Sequence, residues 1–262
     1  MRRFEDRVAF ITGAAHGIGR AAALRLASEG AAVVVTDIEA DAAEEVASAL
    51  AAKGSTALAL ACDVTQPDQV AAAMTATVAR FGRLDVLVNN VGVATDTEFE
   101  ELGDEEWQRQ VDPTLNGAVR CIRAALPHLL AAPGREAAVV SIGSINALAA
   151  FGNEAYSAAK AGLVSLTQNL AMRYARRGVR FNLVAPGTVR TRIWERRLAK
   201  SPGVLDRMNS LYPLGRIGEP ADIAAAVAFL ASADAAWVTG TVLRVDGGVL
   251  AGHTGFLHEV FE

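Results

Sequence analysis

The sequence holds two cysteines, Cys62 and Cys121. That is too few for a disulfide framework, and they stand too far apart in the chain for a metal-binding motif. They read as small buried hydrophobes in a reducing compartment. Long apolar runs are missing too: the longest, Ile223 to Ala231, falls well short of the roughly 20 residues a membrane span needs. Near the start, Glu5, Asp6 and Arg7 precede only a short apolar run, which excludes a signal-peptide core. A cytoplasmic protein with no membrane partner is expected. Nor is there an excess of basic charge. The 25 Lys and Arg face 29 Asp and Glu, for a formal charge of −4, which argues against a nucleic acid as the main partner. His16, His128, His253 and His258 are scattered without ligand spacing, so no metal site is expected.

Hydrophobic residues make up 52% of the chain and charged residues 21%, a balance that excludes intrinsic disorder. The 262 residues suffice for one large domain or two small ones. Short runs rich in Val, Ile and Leu alternate with Ala-rich amphipathic stretches. Strands are expected at Val8–Thr12, Ala32–Thr36, Ala57–Ala61, Leu84–Asn89, Ala138–Ile142, Val179–Val184 and Val242–Val245. Helices are expected at Ala21–Glu29, Glu39–Lys53, Pro67–Phe81, Asp104–Leu130 (interrupted at Pro113 and Pro127), Tyr156–Arg176 and Pro220–Ala231. Thr191–Tyr212 reads as an irregular helical insertion. Strand runs without polar alternation are those of a parallel sheet buried on both faces. With no linker or repeat in sight, the expectation is a single α/β domain over residues 1–262. It is a Rossmann-like, doubly wound parallel sheet of about seven strands, with helices on both faces. Such sheets bind ligands beyond the carboxyl ends of their strands.

The run Thr12-Gly13-Ala-Ala-His16-Gly17-Ile18-Gly19 joins the first strand to its helix. Gly13 permits a tight turn, Gly17 lets the backbone approach a pyrophosphate, and Gly19 allows close helix packing. The helix N-terminus then stabilises the phosphate charge. Asp37 closes the second strand, 18 residues after Gly19. A carboxylate there accepts hydrogen bonds from an adenosine ribose and repels a 2′-phosphate. Neither Ile38 nor His16 offers that phosphate an Arg or Lys, so NAD is expected over NADP. Asp37 can also cap the following helix. Asp63-Val64, after the third strand, meets the adenine or forms a simple turn. Tyr156 and Lys160 share one helical face, where a positive charge lowers the pKa of a phenol; a surface Tyr–Lys pair is the alternative.

Taken together, TGAAHGIGR, the NNVG run Asn89–Gly92, the YSAAK run Tyr156–Lys160 and Ala185-Pro186-Gly187 resemble the short-chain dehydrogenase/reductase family, from Val8 to Gly248. The resemblance implies that Tyr156 is the acid/base toward a substrate hydroxyl or carbonyl. It implies that Lys160 lowers the Tyr156 pKa and holds the nicotinamide ribose, while a serine after the fifth strand polarises the substrate oxygen. That serine usually lies 13 residues before the Tyr, here Gly143; Ser144, at 12, is assigned with one residue deleted. The family's Asn-Leu-x-Gly pattern reads Thr114-Leu-Asn116-Gly117, so Thr114 stands where the catalytic Asn is expected. Among the remaining cofactor positions, Asn90 falls to the adenosine-side ribose and Gly92 to the same run. Pro186, Gly187 and Val189 fall to the carboxamide end, and Thr191 over the phosphates.

Residues 188–214 are expected to form a substrate lid. Its Arg190, Arg192, Arg196, Arg197 and Lys200 read either as an acidic-substrate pocket or as a solvated charged face. Val93, Ala94, Asn146, Phe151, Asn153 and Trp194 line a mixed apolar–polar pocket, suited to a secondary alcohol or ketone. The tail, with His253, Phe256, Leu257, His258 and Phe261, is apolar enough to pack on a neighbour, and by family analogy a homotetramer is expected. An NAD-dependent alcohol dehydrogenase/ketoreductase is the leading reading, with a catalytically weak NAD-binding sensor of the same fold as the alternative. A sugar-nucleotide epimerase needs a larger C-terminal region. An enoyl reductase usually sets its Tyr and Lys six residues apart, where YSAAK has three between them.

Overall fold

The computed structural model describes residues 2–132, 134, 136–194 and 201–252. Seven strands form one parallel sheet: β1 (Val8–Thr12), β2 (Ala32–Asp37), β3 (Ala57–Ala61), β4 (Val86–Asn89), β5 (Ala137–Ile142), β6 (Val179–Pro186) and β7 (Val242–Val245). Their spatial order is β3-β2-β1-β4-β5-β6-β7. The chain therefore works outward from β1 to one edge, returns beside β1 as β4, and works outward to the other. The loops after β1 and β4 part at this reversal.

Alternate side chains along each strand go to opposite faces. Ala9 and Ile11 of β1, Val33 and Val35 of β2 and Val86 and Val88 of β4 join one core layer. That layer packs against Ala22 and Leu26 of α1 (Gly17–Ser28), Val46 and Leu50 of α2 (Ala40–Ala51), and Val227 and Leu230 of α8 (Pro220–Ala231). Val8, Phe10, Val34 and Leu87 join the other layer, against Val70 and Met74 of α3 (Pro67–Phe81) and Ile122, Ala125 and Leu129 of α5 (Gly117–Leu130). Both cysteines lie buried and free in this second layer. Burial pushes the Cys62 thiol up to about 11 and the Cys121 thiol up to about 12. Glu154–Tyr174 forms α6. Among the described residues no helix is long and apolar enough to cross a membrane.

Most element ends fall within two residues of expectation, and two elements differ by more. The first helix starts at Gly17 rather than Ala21, because glycines in an opening turn cost little once the loop before them is fixed. The long helix is divided into α4 (Asp104–Val111), a wide π turn (Asp112–Asn116) and α5. Pro113, without an N–H to give, sits in the π turn, while Pro127 lies within α5 and does not end it. In the expected lid, Arg192–Trp194 is a short 3-10 turn and Val204–Asn209 is α7. Arg196, Arg197, Lys200, and the tail from His253 lie outside the described residues.

Candidate active site

The carboxyl ends of β1, β4, β5 and β6 open into a cleft of about 1470 Å³. Its walls include His16, Gly17, Ile18, Asn90, Gly92, Ser144, Asn146, Phe151, Asn153, Tyr156, Lys160, Pro186, Gly187, Val189, Thr191 and Trp194. Residues expected from four separate motifs thus meet in one cavity.

At one end lies the glycine loop. Gly13 and Gly17 have φ of +60° and +52°, in the region that only glycine enters without strain. A Cβ on Gly19 would collide with the Gly13 carbonyl and come within 2.6 Å of Asn90 Nδ2. Asn90 locks this loop: its Nδ2 donates to the Gly13 and Thr12 carbonyls at 2.9 and 3.1 Å. The backbone amide of Asn90 donates to Thr12 Oγ1 at 3.0 Å. The side chain expected on the adenosine-side ribose is thus engaged in holding the loop. The α1 N-terminus carries no side-chain cap, so its amide end faces the cleft mouth, the ordinary setting for an anion. Thr191 lies over Gly17, 3.2 Å from where a Cβ there would stand.

Asp37 accepts from the Ala15 amide at 3.0 Å and from the Glu39 amide at 3.2 Å. It thus steadies the glycine loop and the turn into α2, whose N-cap position is Glu39 and carries no side-chain cap. Asp63 forms a turn, its Oδ1 accepting from the amide and hydroxyl of Thr65, each at 2.8 Å. Val64 is buried in the core, where a Cβ on Gly117 would come within 2.6 Å of it. Neither is among the residues that line the cleft, and the turn at Asp63 is what the structure places there.

At the other end, Tyr156 and Lys160 project from α6 and Ser144 from the loop after β5. Ser144 lies beside the Tyr156 hydroxyl, close enough to lower the phenol's pKa. At Gly143, the position the family spacing would give the serine, a Cβ would collide with Leu183. Ser144 is therefore the serine that reaches the tyrosine. Its Oγ also donates to Asn146 Oδ1 at 3.1 Å and accepts from the Asn146 amide at 3.2 Å. Asn146 Nδ2 reaches on to the Gly152 carbonyl and Ser157 Oγ, bracing the loop against α6. Asn153 precedes α6 with a φ of +55°, and Phe151 is exposed at the rim.

Lys160 lies beneath, 2% exposed, with Nζ donating to the Ile142 carbonyl at 2.6 Å and standing 5.4 Å from the Tyr156 ring centre. Gly92 makes room for it: a Cβ there would stand 3.0 Å from Nζ. Burial lowers the Lys160 pKa to about 7. Burial also pushes the Tyr156 phenol above its ordinary value, and Ser144 partly offsets that. The phenol is thus raised rather than lowered, because burial outweighs the contribution of Ser144.

Thr114 is fully buried in the π turn, and its Oγ1 accepts from the Val93 amide at 3.1 Å. Asn116 instead turns to Asp112, at 3.0 Å. Three arrangements escaped the sequence reading. Arg192 reaches back 153 residues to Glu39, at 2.6 Å, where His16 Nε2 also lies 3.3 Å away, so an arginine stands just beyond the end of β2, near Asp37. Arg190 pairs with Glu219, so Arg190 and Arg192, both in the stretch expected to form a lid, each meet a protein carboxylate. Gln110 of α4, buried, donates to Thr95 on the cleft wall.

The chain matches a short-chain dehydrogenase/reductase sequence profile, described as enoyl-(acyl carrier protein) reductase, over residues 13–250. It belongs to the short-chain dehydrogenase/reductase family, and is an oxidoreductase of that class. It is 44% identical over 251 residues to cis-4-hydroxycyclohexanecarboxylate dehydrogenase of Sinomonas cyclohexanicum, covering 95% of this chain and 98% of that one. It is 39% identical over 247 residues to cyclohexanol dehydrogenase of Acinetobacter, covering 94% and 95%. The crystal structure of levodione reductase superposes with a TM-score of 0.89 at 35% identity, covering 96% of this chain and all of that one.

Proposed function

We propose that the protein is an NAD-dependent dehydrogenase/ketoreductase acting on a cyclic secondary alcohol or the corresponding ketone. The observation that carries this reading is that Ser144, Tyr156 and the buried Lys160 line the same cleft as the glycine loop. The donor set suits a dinucleotide. A loop with no room for a Cβ at Gly19 and the amide end of α1 suit a pyrophosphate. Asp37 suits a ribose diol, and its charge disfavours the 2′-phosphate of NADP. Two relatives are named for hydroxylated cyclohexane rings, and Phe151 and Trp194 offer such a ring apolar walls.

When bound, the nicotinamide supplies the hydride acceptor in oxidation and the donor in reduction. Tyr156 Oη takes the proton of the alcohol, or returns it to the ketone. Ser144 Oγ holds the same substrate oxygen and fixes its distance from the phenol. Lys160, when protonated, stabilises the phenolate, and it is the residue that would hold a ribose hydroxyl of the cofactor. Thr114 Oγ1 accepts from the Val93 amide and keeps its proton to give, and Thr114 stands in this proposal where the family's Asn holds a water leading to Lys160. A homotetramer is part of the proposal, supported by the exposed Met172 on α6 and Trp237; a monomeric mass in light scattering would refute it.

The test is NADH absorbance with a panel of cyclic and acyclic secondary alcohols. Wild type oxidises at least one of them with NAD, and Tyr156→Phe lowers that rate by about 100-fold or more. NAD binding without turnover of anything on the panel favours the sensor reading instead.

A further inference from the structure

Gln110 is 3% exposed on α4, and its Oε1 is buried without a hydrogen-bond partner. Burying an unpaired carbonyl is costly, so the position calls for a reason beyond packing. The other half of the amide supplies it: Nε2 donates to Thr95 Oγ1 at 2.8 Å. Thr95 Oγ1 lies 3.3 Å from Thr97 Oγ1, and both threonines line the same cleft as Ser144 and Tyr156. Four residues further along, Thr114 holds the Val93 amide. Two side chains from one stretch of helix therefore grip the loop from Val93 to Thr97, one by its backbone and one by a hydroxyl.

The direction of the bonds matters. An amide NH₂ can only donate, so Thr95 Oγ1 spends a lone pair on Gln110 and keeps its own proton to give. That proton goes to Thr97 or to an oxygen entering the cleft. The wall thus presents hydroxyl donors whose orientation is set from the buried side.

We propose that Thr95 and Thr97, oriented by Gln110, form a subsite for a second oxygen on the substrate. The substrate is then an alcohol or ketone that carries a further hydroxyl, carbonyl or carboxylate oxygen away from the reacting carbon, rather than a simple alcohol. The inference rests on the dehydrogenase reading above and adds its substrate class.

The experiment pairs each simple cyclic alcohol, cyclohexanol first, with counterparts bearing a second oxygen: the cyclohexanediols, the hydroxycyclohexanones and the hydroxycyclohexanecarboxylates. In wild type with NAD, kcat/KM for the best oxygenated counterpart exceeds that of the simple alcohol by about tenfold or more, as expected for a site built to hydrogen-bond a group that the competitor lacks. Thr95→Val, which keeps the shape and removes the hydroxyl, collapses that ratio toward one, chiefly through KM. Thr95→Ser retains most of it, and Gln110→Leu lowers it as an independent variant. A wild-type ratio near one overturns the proposal, as does a Thr95→Val enzyme whose two activities fall by the same factor. If wild type turns over none of the panel, the dehydrogenase reading itself fails, and the subsite with it.

Discussion

Replacing Lys160 by Met separates what the lysine costs the fold from what it does in the cleft. The side chain is 2% exposed, and burial brings its pKa down from 10.5 to about 7. Below pH 7 the amine is charged in both the folded and unfolded chain, and the folded protein carries the whole desolvation penalty. Between pH 7 and 10.5 the folded lysine is neutral while the unfolded one keeps its proton. The unfolded state then binds more protons, so stability rises with pH across that window. At about 1.4 kcal/mol for each step of one on the pH scale, the full penalty is roughly 5 kcal/mol, which is comparable with the net stability of many domains. Methionine matches the length of the lysine stem and carries no charge. The cofactor-free Lys160→Met protein is therefore expected to be more stable than wild type at pH 6, by up to about 5 kcal/mol. The gap should narrow steadily toward pH 10. Urea unfolding midpoints at pH 6, 7.5 and 9 measure it, with NAD turnover followed in parallel and expected to be lost. A variant no more stable than wild type at pH 6, or a gap that does not change with pH, would refute the assignment of Lys160 as a buried, strained amine.

Gly19→Ala places a methyl group against the Gly13 carbonyl, so the glycine loop must shift; NAD affinity by fluorescence titration should weaken at least about tenfold (about 1.4 kcal/mol), and unchanged affinity would exclude the loop as the phosphate cradle. Asp37→Ser removes the carboxylate at the end of β2, near which Arg192 and His16 already meet Glu39. The ratio of NADP to NAD kcat/KM should rise by about tenfold, and a wild type that already prefers NADP would show that Asp37 does not discriminate.

The strands were legible because a parallel sheet covered on both faces needs side chains such as those of Phe10, Val34, Leu87 and Val139 without polar alternation, and they pack where that pattern puts them. Element boundaries were less so. Gly17 reads as a loop residue until the Asn90 bonds that fix the preceding turn are known, since the helix start is set by a contact from another strand. Pro113 and Pro127 carry the same local penalty, yet one falls in a π turn and the other is absorbed by a helix; the difference lies in the packing around them, to which local propensity is blind.

The site divides along the same line. Gly13, Gly19, Tyr156 and Lys160 act within one loop or one helical face, where spacing alone aligns them. The choice of Ser144 over Gly143 looked like a matter of counting residues before Tyr156, but its physical reason sits on a neighbouring strand: Leu183 of β6 occupies the space that any side chain at 143 would need. The bonds from Arg192 to Glu39 and from Gln110 to Thr95 join segments 153 and 15 residues apart, and neither follows a helical or strand period. Only the folding of the sheet brings them together, and they lie at the two ends of the cleft where cofactor and substrate would be told apart from their near relatives. Motifs read from spacing therefore identify the family, while the pairings proposed to set selectivity stay open in the sequence until the fold closes them.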